Sequence, residues 1–306
     1  MIMKNSPAKF KESLKEKLLE LLWRQWRTLG ISSHGPEARH LLDLEALILA
    51  TAVVAEQDHR LWTGALQWLF CSHEWVSQSR LKRMAATFIQ PDAFLKIPLI
   101  NESIWKEALS SLAPLFISHE AALHKRRVDP VTTTPHLKKL PLLQLYLRGI
   151  FGVNARAELF LYLHVKSEGN SNQIAREIHF DQKNIYLILE RWAETGFVSR
   201  ERRGKQNLYA LEGGRNFVPD VETIHAFWDW NTFFAIYSRL YVAAHNEPWA
   251  ADAYLLSSLF RDVRPLTARI AKSIGKSLPD PKLYSGKEYF APGSRVLLDL
   301  FSIMAA

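Results

Sequence analysis

The chain has 306 residues, 48% of them hydrophobic, and a single cysteine, Cys71. That is ample for a packed core over about two domains; it excludes an internal disulfide framework and fits a reducing compartment. A net charge of +8 with a pI near 9.5 favours an anionic partner such as nucleic acid or a membrane surface. The start, Met1-Ile2-Met3-Lys4-Asn5-Ser6-Pro7, lacks the apolar centre of a signal peptide. The longest clean apolar run, Ala46 to Ala55, is too short to span a bilayer, so a cytoplasmic protein with no membrane partner is expected.

In chain order, Lys9 to Leu29 reads as an amphipathic helix with Phe10, Leu14, Leu18, Leu21, Leu22 and Trp26 on its apolar side, stopped by Gly30. Glu37 to Ala55 reads as a second helix, apolar enough to be buried. Asp58 caps a third, His59 to Phe70, and Ser77 begins a fourth. These two form a helix-turn-helix-like pair joined through Cys71-Ser72-His73-Glu74-Trp75. Arg80, Lys82 and Arg83 on the fourth helix read as an ordinary solvated face, with a second nucleic-acid contact as the alternative. A further helix is predicted over Ser103 to His119, completing an all-helical N-terminal domain over 1–124. Residues 125–141 read as a linker, because they combine Lys125-Arg126-Arg127 with Pro130, Pro135 and Pro141. Pro141 to Ile150 is then a helix leading into a module over 142–213.

That module carries most of the information. Asn154 to His164 is helical, and Ser171 is placed as the N-cap of a short helix, Asn172 to Ile178. His179-Phe180-Asp181 makes a turn, with Asp181 capping a third helix, Gln182 to Glu194, which stops at Gly196. Phe197 to Arg200 and Leu208 to Leu211 read as two strands around Arg202-Arg203-Gly204-Lys205-Gln206. The order is that of a winged helix-turn-helix with a two-stranded wing, so the fold class is mainly α, with helical regions flanking the module. Beyond Gly213-Gly214, Val221 to His245 reads as a helix rich in aromatics, among them Phe227, Trp228, Trp230, Phe233, Phe234, Tyr237 and Tyr241. Asp252 to Ile274 follows, with Arg261, Arg264, Arg269 and Lys272, and Pro265 is expected to kink or divide it. Gly293 to Ala306 closes the chain. The C-terminal region, 214–306, is expected to pack on the N-terminal helices or to form a dimer interface; core packing is the commonest fate of such an aromatic stripe, with a ligand pocket as a further alternative.

Catalytic patterns are absent from the sequence. There is no phosphate-binding P-loop, no Gly-rich dinucleotide turn and no His-Glu-x-x-His. Cys71 and His73 stand two residues apart and point different ways on a helix. His34 and His40 lie near Glu37 without metal-ligand spacing. A non-enzyme without cofactor or metal is expected.

Phe151-Gly152-Val153-Asn154-Ala155-Arg156-Ala157-Glu158, Gln173-Ile174-Ala175-Arg176-Glu177, Asn184-Ile185-Tyr186 and Glu194-Thr195-Gly196-Phe197-Val198 resemble bacterial winged-helix regulators of the ArsR/MarR type. The resemblance covers residues 151–211 and implies a DNA-binding transcriptional regulator. The cysteine-pair metal sensor of some ArsR members is missing, because Cys71 lies far upstream.

On the third module helix, Ile185, Ile188, Leu189 and Trp192 recur at helical spacing and are assigned to the core. Gln182, Lys183, Asn184, Tyr186, Leu187, Glu190 and Arg191 are left outward. Gln182 and Asn184 suit adenine, while Lys183 and Arg191 suit guanine or phosphate. Tyr186 is assigned to base reading, and Ser171 and Asn172 join the surface from the preceding helix. Arg200, Arg202, Arg203 and Lys205 cluster at the wing, suited to phosphates or the minor groove. Asp181, Glu190 and Glu194 would repel phosphates if they faced outward. Over 154–211 nine Lys/Arg stand against seven Asp/Glu, a balance of +2. So weak an excess favours a homodimer that binds double-stranded DNA at two half-sites about one helical turn apart. The alternative is an assembly module whose winged helix binds a polypeptide partner.

Overall fold

Ser6 starts the first helix by accepting a hydrogen bond from Lys9 N, with Pro7 at the first helical position, where its missing N–H costs nothing. The computed structural model describes residues 6–32, 34–55, 57–89, 137–212 and 229–305. The helix predicted at Ser103 to His119, residues 125–136 of the linker and the segment from Gly213 to Trp228 lie outside them. The described residues form eleven α-helices and one small sheet. Among them no helix is long and apolar enough to cross a membrane.

Helix α1 (Pro7–Thr28) buries Phe10, Leu14, Leu18, Leu21, Leu22 and Trp26 as its periodicity predicts. Helix α2 (Leu44–Val53) is shorter than expected. It starts at Asp43, whose carboxylate caps Ala46 N, and residues 37–43 are not helical. The reason lies in where the backbone donors go. Leu42 N bonds to Pro141 O and Leu44 N to the Gln144 side chain, both far away in sequence. Helices α3 (His59–Ser72) and α4 (Gln78–Ile89) follow, α3 capped by Asp58.

Leu137 packs on the same core, and a short 3-10 turn at Leu140–Leu142 replaces the first residues of the helix predicted from Pro141. Helix α5 (Leu143–Phe151) then leads into α6 (Ala155–Lys166), capped by Asn154. A two-residue strand, β1 (Glu168–Gly169), precedes α7 (Ser171–Ile178) and α8 (Gln182–Glu194). Strands β2 (Val198–Arg203) and β3 (Gln206–Leu211) form a hairpin, with Arg203 opposite Gln206 and Gly204 at φ +63° in the turn. The sheet has three antiparallel strands in the order β1-β3-β2, not two, and both hairpin strands run further into the turn than expected. Buried Gly169 is required in β1, because a Cβ there would come within 2.9 Å of Tyr162 and Ile174.

Helix α9 (Trp230–His245) begins at an Asp229 cap, and Val221 to Trp228 of the predicted helix lie outside the described residues. Helix α10 (Ala253–Ser273) passes through Pro265 undivided. Leu256, Leu259, Phe260 and Val263 before the proline and Ile270 after it face one core, and that packing holds the helix together despite the lost backbone bond. Helix α11 (Phe290–Ala305) starts before Gly293, where a Cβ would meet Phe260 at 2.8 Å.

One apolar core unites α1 to α4 with α9, α10 and α11, and reaches α5 at Leu145. The described α9 aromatics, Trp230, Phe233, Phe234, Tyr237 and Tyr241, are all buried in it. A second core lies inside residues 154–212. It is built from Leu159, Tyr162, Ile174, Ile178, Ile185 and Leu189 with Val198 and Tyr209 of the sheet.

An ionic cluster joins the two. Arg80 of α4, expected on a solvated face, is instead buried at 1% exposure. Its Nη1 and Nη2 donate to Asp43 at 2.8 and 2.5 Å, Nη1 also donates to Glu45 at 2.5 Å, and Nε reaches Ile178 O at 3.0 Å. Lys82 and Arg83 are exposed. Arg148 of α5 bridges Glu45 at 2.8 and 2.9 Å and Glu158 of α6 at 2.5 and 2.8 Å, and donates to Trp75 O. Gln144 completes the cluster between Leu44 N and Glu158. Burial alone would raise both carboxyls of α2. Arg80 beside Asp43 and Arg148 beside Glu45 outweigh it and hold both below their usual values.

His179, just after Ile178, adopts the left-handed conformation at φ 59° and its Nε2 meets the Asn231 side chain at 3.2 Å. Burial, assisted by Arg80, lowers its pKa to about 4 from 6.5, against the opposing pull of Asp43, Asp229 and Glu45. The folded protein therefore binds fewer protons here than the unfolded chain as pH falls from 6.5 towards 4, and stability drops across that window, by up to ~3 kcal/mol. His179→Asn, which tolerates the same backbone conformation, is expected to flatten the fall in the urea midpoint between pH 7 and about pH 5. An unchanged pH dependence in the variant would show that His179 does not set it.

Candidate nucleic-acid interface

Asp181 accepts a hydrogen bond from Asn184 N at 3.2 Å, so this carboxylate is spent on capping α8. The inward stripe of α8 is the one its spacing predicts: Ile185, Ile188 and Leu189 are buried and Trp192 packs against the same core. Gln182, Lys183, Asn184, Tyr186, Leu187 and Arg191 are all exposed. Lys183, Leu187 and Arg191 follow one another at four-residue intervals, which places them in a line along the outward face.

Glu190 is turned away from that line. It accepts from Arg200 Nη1 of β2 at 2.7 Å and from the Tyr209 hydroxyl of β3 at 2.6 Å. Burial and the Glu190 carboxylate push the Tyr209 phenol up to about 12, so it stays a donor at neutral pH. Two of the three acidic groups that threatened a phosphate contact are thus engaged within the fold. Glu194 remains exposed at the far end of α8.

The start of α7 is drawn to the start of α8 and to the hairpin. Asn170, not Ser171, caps α7, its side chain accepting from Gln173 N at 2.9 Å, while Ser171 is the first helical residue. Both residue types make good caps, so sequence alone misplaced the boundary by one position. Ser171 Oγ accepts from Gln182 Nε2 at 3.1 Å, and Asn170 Nδ2 donates to Gln206 of β3 at 3.1 Å. Asn172 is exposed beside them.

The hairpin carries the remaining positive charge. Arg202 and Lys205 are exposed at its tip, Arg202 Nε lying 3.4 Å from Gly204 O. Arg203 is held between Glu168 of β1 and Glu201 of β2, each at 2.8 Å. These pairs are half exposed, so they exchange readily for another anion. Lys183, Arg191 and Lys205 make no ion pair among the described residues. The structural partners that sequence did not reveal are Glu168 and Asn170; no local periodicity marks them, because each acts across to the hairpin.

The fold and this surface define a mainly helical protein that presents an exposed polar helix face carrying Lys183 and Arg191 beside a basic hairpin on a small antiparallel sheet. Comparison with protein-family models, curated proteins and solved structures found no match.

Proposed function

We propose that residues 154–212 are a winged helix-turn-helix and that the protein is a transcriptional regulator binding double-stranded DNA. In this reading α8 enters the major groove and the β2–β3 hairpin lies as the wing along the backbone. The observation that carries it is the open outward face of α8, where Lys183, Asn184 and Arg191 are exposed while the opposite face is locked into the module's core. A helix fits that groove, and groups near its N-terminus reach base edges. Lys183, Arg191, Arg202, Arg203 and Lys205 supply salt-dependent affinity to phosphates, and Gln182, Asn184 and Tyr186 face bases, with Ser171 and Asn172 on the flanking backbone. The weak local charge excess favours a homodimer on two half-sites.

The test is fluorescence anisotropy of the protein on duplex DNA from its own upstream region and on a scrambled duplex, over a salt series. Sequence-dependent binding that weakens steeply with salt is expected, and Lys183→Ala and Lys205→Ala are each expected to lower the logarithmic salt slope by about 1. Arg203→Ala is expected to weaken all duplexes alike, and Asn184→Ala to relax preference at one position by about 1–3 kcal/mol. Variants that bind like the unaltered protein would end the docking scheme. Exposed Tyr186 and Leu187 also fit a second reading, a polypeptide-binding module, which equal weak binding to every duplex would bring forward.

A further inference from the structure

Leu187 stands at the middle of the outward face of α8, 47% exposed, with Tyr186 41% exposed on its flank. They are two of the five large hydrophobic residues exposed among the described residues, on a single 13-residue helix. Leu187 lies between Lys183 and Arg191 on that face, one helical turn from each. Asn184 lies three residues before Leu187, so their side chains are neighbours about 5–6 Å apart at Cβ. The Asn184 carboxamide makes no hydrogen bond among the described residues; only its backbone N–H is engaged, by Asp181.

An adenine presents N6 and N7 in the major groove, which a free carboxamide matches, and its thymine partner presents a C5 methyl, which an aliphatic side chain matches. Resting on the DNA-binding reading above, we propose that the half-site of this protein is centred on A·T pairs, with Asn184 pairing with adenine and Leu187, backed by Tyr186, packing on thymine methyl groups. The apolar centre of the helix face is thereby a base-reading element, not an exposed remnant of the core.

The test begins with selection of bound duplexes from a random 20-base-pair library by the full chain. The best duplex is then compared with a copy carrying deoxyuridine for thymidine, which removes only the methyl groups. The expected outcome is a selected site with adjacent A·T pairs at each half-site centre. The uridine copy should bind about fourfold more weakly per contacted thymine, equivalent to ~0.8 kcal/mol for one buried methyl. Leu187→Ala, at a surface position that leaves folding intact by circular dichroism, should bind the thymidine and uridine duplexes equally. G·C-centred sites, or equal binding of both duplexes by the unaltered protein, would overturn the inference while leaving DNA binding standing. Failure to enrich any duplex would overturn the DNA-binding reading itself. Loss of a dimer in Leu187→Ala with the thymidine preference intact would reassign the residue to a protein contact.

Discussion

Arg148→Ala is expected to destabilise the protein by about 3–5 kcal/mol, a large share of the roughly 5–15 kcal/mol that keeps an ordinary domain folded. Arg148 is fully buried and holds Glu45 from α2 and Glu158 from α6, so its removal leaves the buried Glu158 carboxylate without its bonded cation and Glu45 with one arginine instead of two. Arg80 still pairs with Glu45 but makes no bond to Glu158. The measurement is a urea titration followed by circular dichroism, and a midpoint within experimental error of the unaltered protein would refute the assignment. Direction with pH follows from Asp43 and Glu45. Both are held below their unfolded values, so their contribution is present at neutral pH and is lost as pH falls through the acid range. In Arg148→Ala the acid transition should therefore begin from a lower plateau and lose part of its slope.

The second large effect is expected from Phe233→Ala, about 3–5 kcal/mol for a fully buried ring in a packed interior. Phe233 stacks edge-on against Phe301 of α11 at 5.1 Å and lies 4.5 Å from Tyr237 along its own helix. Tyr237 in turn donates to Leu297 O at 2.7 Å. Because α1 to α4 share this core, the damage should not stay near the C-terminus. Tryptophan fluorescence, which reports Trp26 and Trp68 among others, should shift its midpoint together with circular dichroism. A fluorescence transition that leaves the Trp26–Trp68 contact untouched while helix content falls would refute a single cooperative core.

What sequence revealed and what it hid divide by range. The apolar stripes of α1 and α8 and the Asp181 and Asp58 caps depend on neighbours within one or two turns, and they stand where the spacing put them. The mainly helical character follows from the same local signal. Features that depend on distant partners were hidden. Arg80 looks like Lys82 and Arg83 in the chain, and only Asp43, 37 residues earlier, and Ile178 O, 98 residues later, distinguish it. Helix α2 begins late because its leading donors bind residues 141 and 144. Strand β1 is two residues long and exists by pairing with β3, some 40 residues on. At the candidate interface the outward residues of α8 were legible, while the grip of Glu168 on Arg203 and of Arg200 on Glu190 depended on the hairpin's register.

The pairing of the first helix with the last has a consequence for how the chain is made. Phe10 of α1 sits against Phe260 at 5.2 Å and Phe290 at 6.1 Å, and Lys17 donates to Ser302 at 2.6 Å. During synthesis α1 leaves the ribosome with Phe10 bare, because the Phe260 and Phe290 rings that cover it are not yet translated. At 5–20 residues per second that interval is roughly 15–60 s. Residues 154–212 bury their own core from neighbours in sequence and need no such wait. The nascent chain therefore completes the core of residues 154–212 while Phe10 of α1 still waits for its cover.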